Sequence, residues 1–97
     1  MIRQLINFVT IQQEDGSQLI VKYMLSHYED SLFGIIVEKH VVMGGEMYFI
    51  EEVETKRLYD ITKALAIAKQ CADFKVLPIS CHDIEEDLWG SLSLQAV

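Results

Sequence analysis

The sequence predicts an α+β fold in a single domain, residues 1–97: a four-stranded antiparallel β-meander followed by one long helix and one short C-terminal helix. Three observations carry this expectation. Apolar and β-branched residues recur with period two in four runs up to Glu54, each run separated from the next by turn-forming residues. From Thr55 onward the apolar period lengthens to about 3.6. The chain has 97 residues, 51% of them apolar, with one proline and no low-complexity tract, which suits one hydrophobic core and leaves no room for two.

The first run, residues 2–13, is rich in Ile, Leu, Phe, Val and Thr and ends at Glu14-Asp15-Gly16-Ser17, where Asp-Gly tolerates the positive φ of a tight hairpin. Its partner, residues 18–30, sets Leu19, Val21, Tyr23 and Leu25 on one strand face and Ile20, Lys22 and Met24 on the other. Tyr28-Glu29-Asp30-Ser31 reads as a polar turn. The third run, from Leu32 to Val42, stops at Gly44-Gly45, and the fourth begins at Glu46, which predicts a second hairpin centred on the glycines. Strands joined by short turns pair with their sequence neighbours.

Leu58, Ile61, Leu65, Ala68 and Ala72 then form an apolar stripe on a helix of four to five turns, for which Thr55 is the expected cap. Pro78 ends any continuous helix. Ser80-Cys81-His82-Asp83 offers a new serine cap with an acid three residues on, which predicts a short second helix.

Fifteen acidic against eight basic residues leave a net charge of −7, so nucleic acid and anionic membranes are not expected partners. Residues 1–55 and 76–97 are acidic, whereas residues 56–75 hold five basic and two acidic side chains. That stretch would offset the acidity elsewhere in the chain or dock an unidentified acidic protein partner. No apolar run is long enough to cross a bilayer, the N-terminal residues lack the pattern of a secretion signal, and two cysteines make no disulfide framework. A reducing, cytoplasmic location is the expectation.

Residues capable of chemistry are present without the spacing that chemistry requires. His82 and Glu86 stand four apart on the expected short helix. A metal would need a third ligand from His27 or His40, and no CxxC, HExxH or HxH pattern accompanies them, so no metal site is expected. Cys81 and His82 are adjacent and therefore point apart on a helix, and alternation sends Glu51 and Glu52 to opposite strand faces. Gly44-Gly45 lacks the phosphate-loop pattern, and no serine sits in a nucleophile elbow. No catalytic residue and no cofactor are assigned, which leaves enzymatic activity open with the balance against it.

The sheet holds more apolar residues than one buried face requires. Ile6, Phe8, Ile20, Met24, Ile36, Tyr48 and Ile50 accompany a second apolar set on the same strands, whereas an antiparallel sheet with one wet face alternates to polar residues there. Two helices cover one face. The seven residues are therefore the expected self-association face, covered by a second copy in a symmetric homodimer. The expected function is a non-catalytic interaction or regulatory module. The alternative is a small-molecule binder or minor enzyme with its pocket between sheet and helices, lined by Tyr59, His82, Glu86 and Trp89.

Three segments carry a resemblance: YEDSLFGIIVEK, IEEVETKRLYDITKALAIAKQC and VLPISCHDIEEDLW. Over roughly residues 20–90 the chain resembles a small bacterial family of unknown function, common in Gram-positive anaerobes. The shared signals are an aromatic-acid turn leading into a strand, an acid-aliphatic step at Glu52-Val53, and Pro78 followed by a short acidic segment ending at Trp89. The resemblance implies a bacterial cytosolic protein with strands first and helices last, and it brings no activity or catalytic residue with it. Trp89, and Glu52-Val53 in place of Asp-Ile, depart from the family pattern.

Overall fold

Four strands form one antiparallel sheet in the order β1-β2-β3-β4: β1 Ile2–Gln12, β2 Gln18–His27, β3 Phe33–Met43 and β4 Glu46–Glu54. The structure is a computed structural model and describes residues 2–55 and 57–81. The meander follows from its turns. Gly44 and Gly45 both take positive φ (62° and 82°), the combination a two-residue hairpin needs to match strand twist. In the first turn Gly16 has φ 89°, and the Asp15 carboxylate accepts a hydrogen bond from the Ser17 N–H at 2.9 Å, holding the bend.

Two residues interrupt the ladder. Leu5 pairs with Met24 and Asn7 with Tyr23, so Ile6 is an extra residue in β1; Lys39 pairs with Glu51 and His40 with Phe49, so Ile50 is an extra residue in β4. Each is a β-bulge, which bends its strand and changes which face the neighbouring side chains take.

One helix, α1 Ile61–Asp73, crosses β1, β2 and β3 on a single face, and a 3₁₀ turn at Pro78–Ser80 lies against β3 and β4. The core between them contains Val21, Tyr23, Leu25, Ile35 and Val37 from the sheet, and Ala64, Ile67, Ala68, Cys71 and Ala72 from the helix. Three alanines on the buried stripe let the helix backbone approach the larger strand side chains. The Tyr23 hydroxyl donates to the Val76 carbonyl at 2.9 Å, tying the central strand to the segment after the helix.

The helix begins later than Thr55, the expected cap. Thr55 continues the sheet, its N–H donating to the Ile35 carbonyl at 2.9 Å. Leu58 and Phe33 exchange backbone hydrogen bonds at 2.7 and 2.6 Å, so Leu58 belongs to the sheet edge and not to the helical stripe. Asp60 is the cap, accepting from the Thr62 and Lys63 N–H groups at 2.9 and 3.3 Å. At the other end Lys75 takes a left-handed φ of 53°, and the Val76 N–H reaches back to the Cys71 carbonyl at 3.0 Å. Arg57 and Lys75 thus flank the helix, which itself carries only Lys63 and Lys69 against Asp73 and is less basic than residues 56–75 as a whole. The short helix expected from Ser80 onward lies largely outside the described residues.

Candidate functional site

Strand alternation divides the sheet into a helix-covered face and an opposite face, called here the open face. Register sets five rows across it: Thr10, Ile20, His40 and Phe49; Phe8, Lys22, Glu38 and Glu52; Leu5, Met24, Ile36 and Glu54; Arg3, Ser26 and Gly34; and, at the hairpin end, Gln12, Gln18, Val42 and Met47. The second of these rows is charged, and it places Glu38 directly opposite Glu52, a repulsive pairing unless compensated. Arg3 compensates it from two strands away. Its Nη1 donates to Glu38 at 2.9 Å and to Glu52 at 2.8 Å, and Nη2 donates to Glu52 at 3.3 Å.

This bonding, reinforced by the guanidinium charge, holds the Glu52 carboxyl below its ordinary range and raises Arg3 further. His40 extends the cluster, its Nε2 lying 3.0 Å from Glu38 Oε1, and the imidazole packs edge-on to Phe49 at 5.6 Å. At the Gly34 end of the face the Tyr28 hydroxyl donates to Glu54, Arg57 Nε donates to the other Glu54 oxygen at 3.0 Å, and the Arg57 guanidinium sits 4.0 Å over the Tyr28 ring.

The seven residues expected to form one association face are divided by these features. Met24 and Ile36 are buried, at 9% and 1% exposure. Ile6, displaced by the bulge, packs against the core with Val9 and Ile11. Tyr48 pairs with Val41, on the helix-side parity of β3, and Ile50 occupies the second bulge. Phe8 and Ile20 lie on the open face, Ile20 partly covered and Phe8 55% exposed.

Tyr59, Ile61, Phe74 and Ile79 are exposed outside the sheet, and within it the uncovered large apolar side chains lie on β1 and on the β3–β4 hairpin. On β1 these are Ile2, Leu5 and Phe8; on the β3–β4 hairpin they are Met43, Met47, Tyr48, Phe49 and Ile50, with Phe49 at 56%. Sequence reasoning missed Leu5, Met47 and Phe49 because period two places them in the covered set until each bulge is counted.

The expected pocket falls almost entirely outside the described residues. Tyr59 is 76% exposed, and His82, Glu86 and Trp89 lie outside the described residues. Among the described residues no cluster of three or more His, Cys, Asp or Glu side chains is arranged to hold a metal. His27 pairs with Phe33 and bonds Gln4 at 3.0 Å, on the strand face opposite to that of His40. Cys71 and Cys81 are both buried in the core. Burial pushes the Cys71 thiol up to about 11, so it stays protonated at neutral pH and makes a poor nucleophile.

No helix among the described residues is long and apolar enough to cross a membrane. In comparisons with known proteins, the chain matches no family model, no curated protein and no solved structure.

Proposed function

We propose that this protein is a non-catalytic interaction module that works by self-association, two copies joining through strand surface that the helix leaves uncovered. The observation that supports it most directly is the position of Phe8 and Phe49. Each is more than half exposed, and each sits on an edge strand among other exposed apolar side chains. Scattered apolar residues are normal on a monomer, but large ones concentrated along sheet edges mark surfaces that another chain covers. The charged band through Arg3, Glu38 and Glu52 divides the open face, so the association surface runs along the edges and not across the centre.

The chain's net charge of −7 opposes association at low ionic strength, so the dimer strengthens as salt screens that repulsion. Sedimentation equilibrium at micromolar protein tests the reading at two salt concentrations. A mass twice that of the chain, favoured by salt, is the expected result. A single-chain mass at every concentration would refute it.

A further inference from the structure

We infer that the edge used is that of β1, paired antiparallel with β1 of a second copy across a two-fold axis, which turns two four-stranded sheets into one continuous sheet. The inference rests on the self-association reading and names the surface.

Backbone direction comes first. The Gln13 N–H donates to the Ser17 carbonyl at 3.0 Å, so Gln13 and Ser17 form a hydrogen-bonded pair. Such pairs alternate along an antiparallel ladder. Stepping by two through the register makes Ile11–Leu19, Val9–Val21 and Asn7–Tyr23 hydrogen-bonded pairs as well. Phe8, Thr10 and Gln12 therefore turn their N–H and C=O groups away from β2. Among the described residues no strand lies on that side. The Phe8 N–H is already occupied, since the Asn7 side-chain oxygen accepts from it at 2.8 Å. Thr10 and Gln12 are left with outward donors.

Charge then separates the two edges. From Gln4 to Gln13 the sequence holds no ionisable side chain, whereas β4 carries Glu46, Glu51, Glu52 and Glu54. Two copies of an acidic chain meet with least repulsion at the uncharged edge, and pairing β4 with itself would bring two acidic strands together. Proteins guard exposed edges with charges and bulges. On β4 the guards span the strand; on β1 the bulge at Ile6 and the charge at Arg3 lie in its first half, which leaves Asn7–Gln12 regular.

Symmetry favours β1 with β1. A β1-to-β4 contact is heterologous and propagates into open fibres, whereas β1 with β1 closes after two copies. Centring the axis on Thr10 brings the two Thr10 residues into a hydrogen-bonded pair and sets Phe8 opposite Gln12. The Gln12 N–H then reaches the Phe8 carbonyl without displacing Asn7.

Three variants of the full chain test this by sedimentation and oxidative cross-linking. Thr10→Pro removes an outward N–H that the β1–β2 ladder does not use, so the fold persists while the dimer dissociation constant rises about tenfold or more. Thr10→Cys gives a covalent dimer under mild oxidation, because facing residues of a hydrogen-bonded pair lie about 5.5 Å apart, within disulfide range. The native thiols are buried and do not compete. Phe49→Glu, on the other edge, leaves the dimer intact. A wild-type monomer overturns self-association altogether. A wild-type dimer that survives Thr10→Pro, fails to cross-link through Thr10→Cys, or is lost in Phe49→Glu overturns the β1 edge alone.

Discussion

Replacing Gly34 by alanine tests the closest packing on the open face. A Cβ at Gly34 would lie 2.6 Å from Ser26 Oγ and 3.2 Å from the Glu54 carboxylate, against an ordinary contact distance of 3.4–4 Å. Ser26 is fully buried and its hydroxyl has no hydrogen-bond partner among the described residues, so it is held in place by packing alone. Overpacking of this kind costs about 1–3 kcal/mol, and the backbone entropy removed from the unfolded chain returns roughly 0.4–1. The expected net loss for Gly34→Ala is about 1–2 kcal/mol. For a domain of this size that lowers Tm by roughly 4–16 °C.

Ser26→Ala removes the obstructing oxygen together with an unsatisfied buried hydroxyl, and is expected to be neutral or stabilising by about 1 kcal/mol. The double variant should then recover most of the loss, giving a coupling of about 1–2 kcal/mol. Urea denaturation of the four proteins, with the m-value constant across the set, measures this directly. If the two effects simply add, leaving the double variant no better than Gly34→Ala relative to its own Ser26→Ala background, the steric argument is wrong.

Two further predictions concern the sheet's polar anchors. Tyr23→Phe strands the buried Val76 carbonyl and should cost about 1–2 kcal/mol with the far-ultraviolet spectrum unchanged; an unaltered melting temperature would show that the bond contributes nothing. Glu52 has a folded-state pKa depressed by Arg3, so its contribution is complete above the ordinary value of 4.5 and disappears as pH falls through the lower folded value. With side chains 36% and 39% exposed, the Arg3–Glu52 pair should contribute only ~0.2–1 kcal/mol, reduced by salt. Glu52→Gln should therefore be less stable than wild type at about pH 7, with the gap closing as pH falls below 4.5 through the depressed folded-state value. A stability gap that persists in acid, or ignores salt, argues against an ionic origin.

The strands, their order and both hairpins were legible because each depends on local signals: Asp15-Gly16, Gly44-Gly45 and the alternation on either side. The start of α1 was not, because Thr55 satisfies the rule for a helix cap and only its pairing with Ile35 shows that the sheet claims it first. Leu58 fits the helical stripe by spacing, yet Phe33, distant in sequence, draws it into a bridge. The exposed edges followed the same pattern. Apolar surplus predicted uncovered surface, but counting by twos could not anticipate the extra residues at Ile6 and Ile50. Arg3 was missed as a site residue because its partners lie two and three strands away, a relation that only the assembled register creates. Of the expected pocket, only Tyr59 falls among the described residues.

The bulge at Ile6 acts as a reading frame for the beginning of the chain. Unbroken alternation back from Val9 would aim Arg3 at the underside of the helix and Gln4 at water; the inserted residue rotates that tract by half a turn, so the guanidinium emerges above Glu38 and Glu52. Lengthening or shortening the loop between Gln12 and Gln18 leaves this phase untouched. Excising Ile6 alone keeps it as well, because Leu5 and Asn7 already face the consecutive residues Met24 and Tyr23 and would then pair without a bulge; what is lost is the Ile6 side chain packed against the core. The N-terminal tract of β1 thus tolerates loss of its bulge residue better than a one-residue slip of its register against β2, which would drive a permanent cation toward the oily interior.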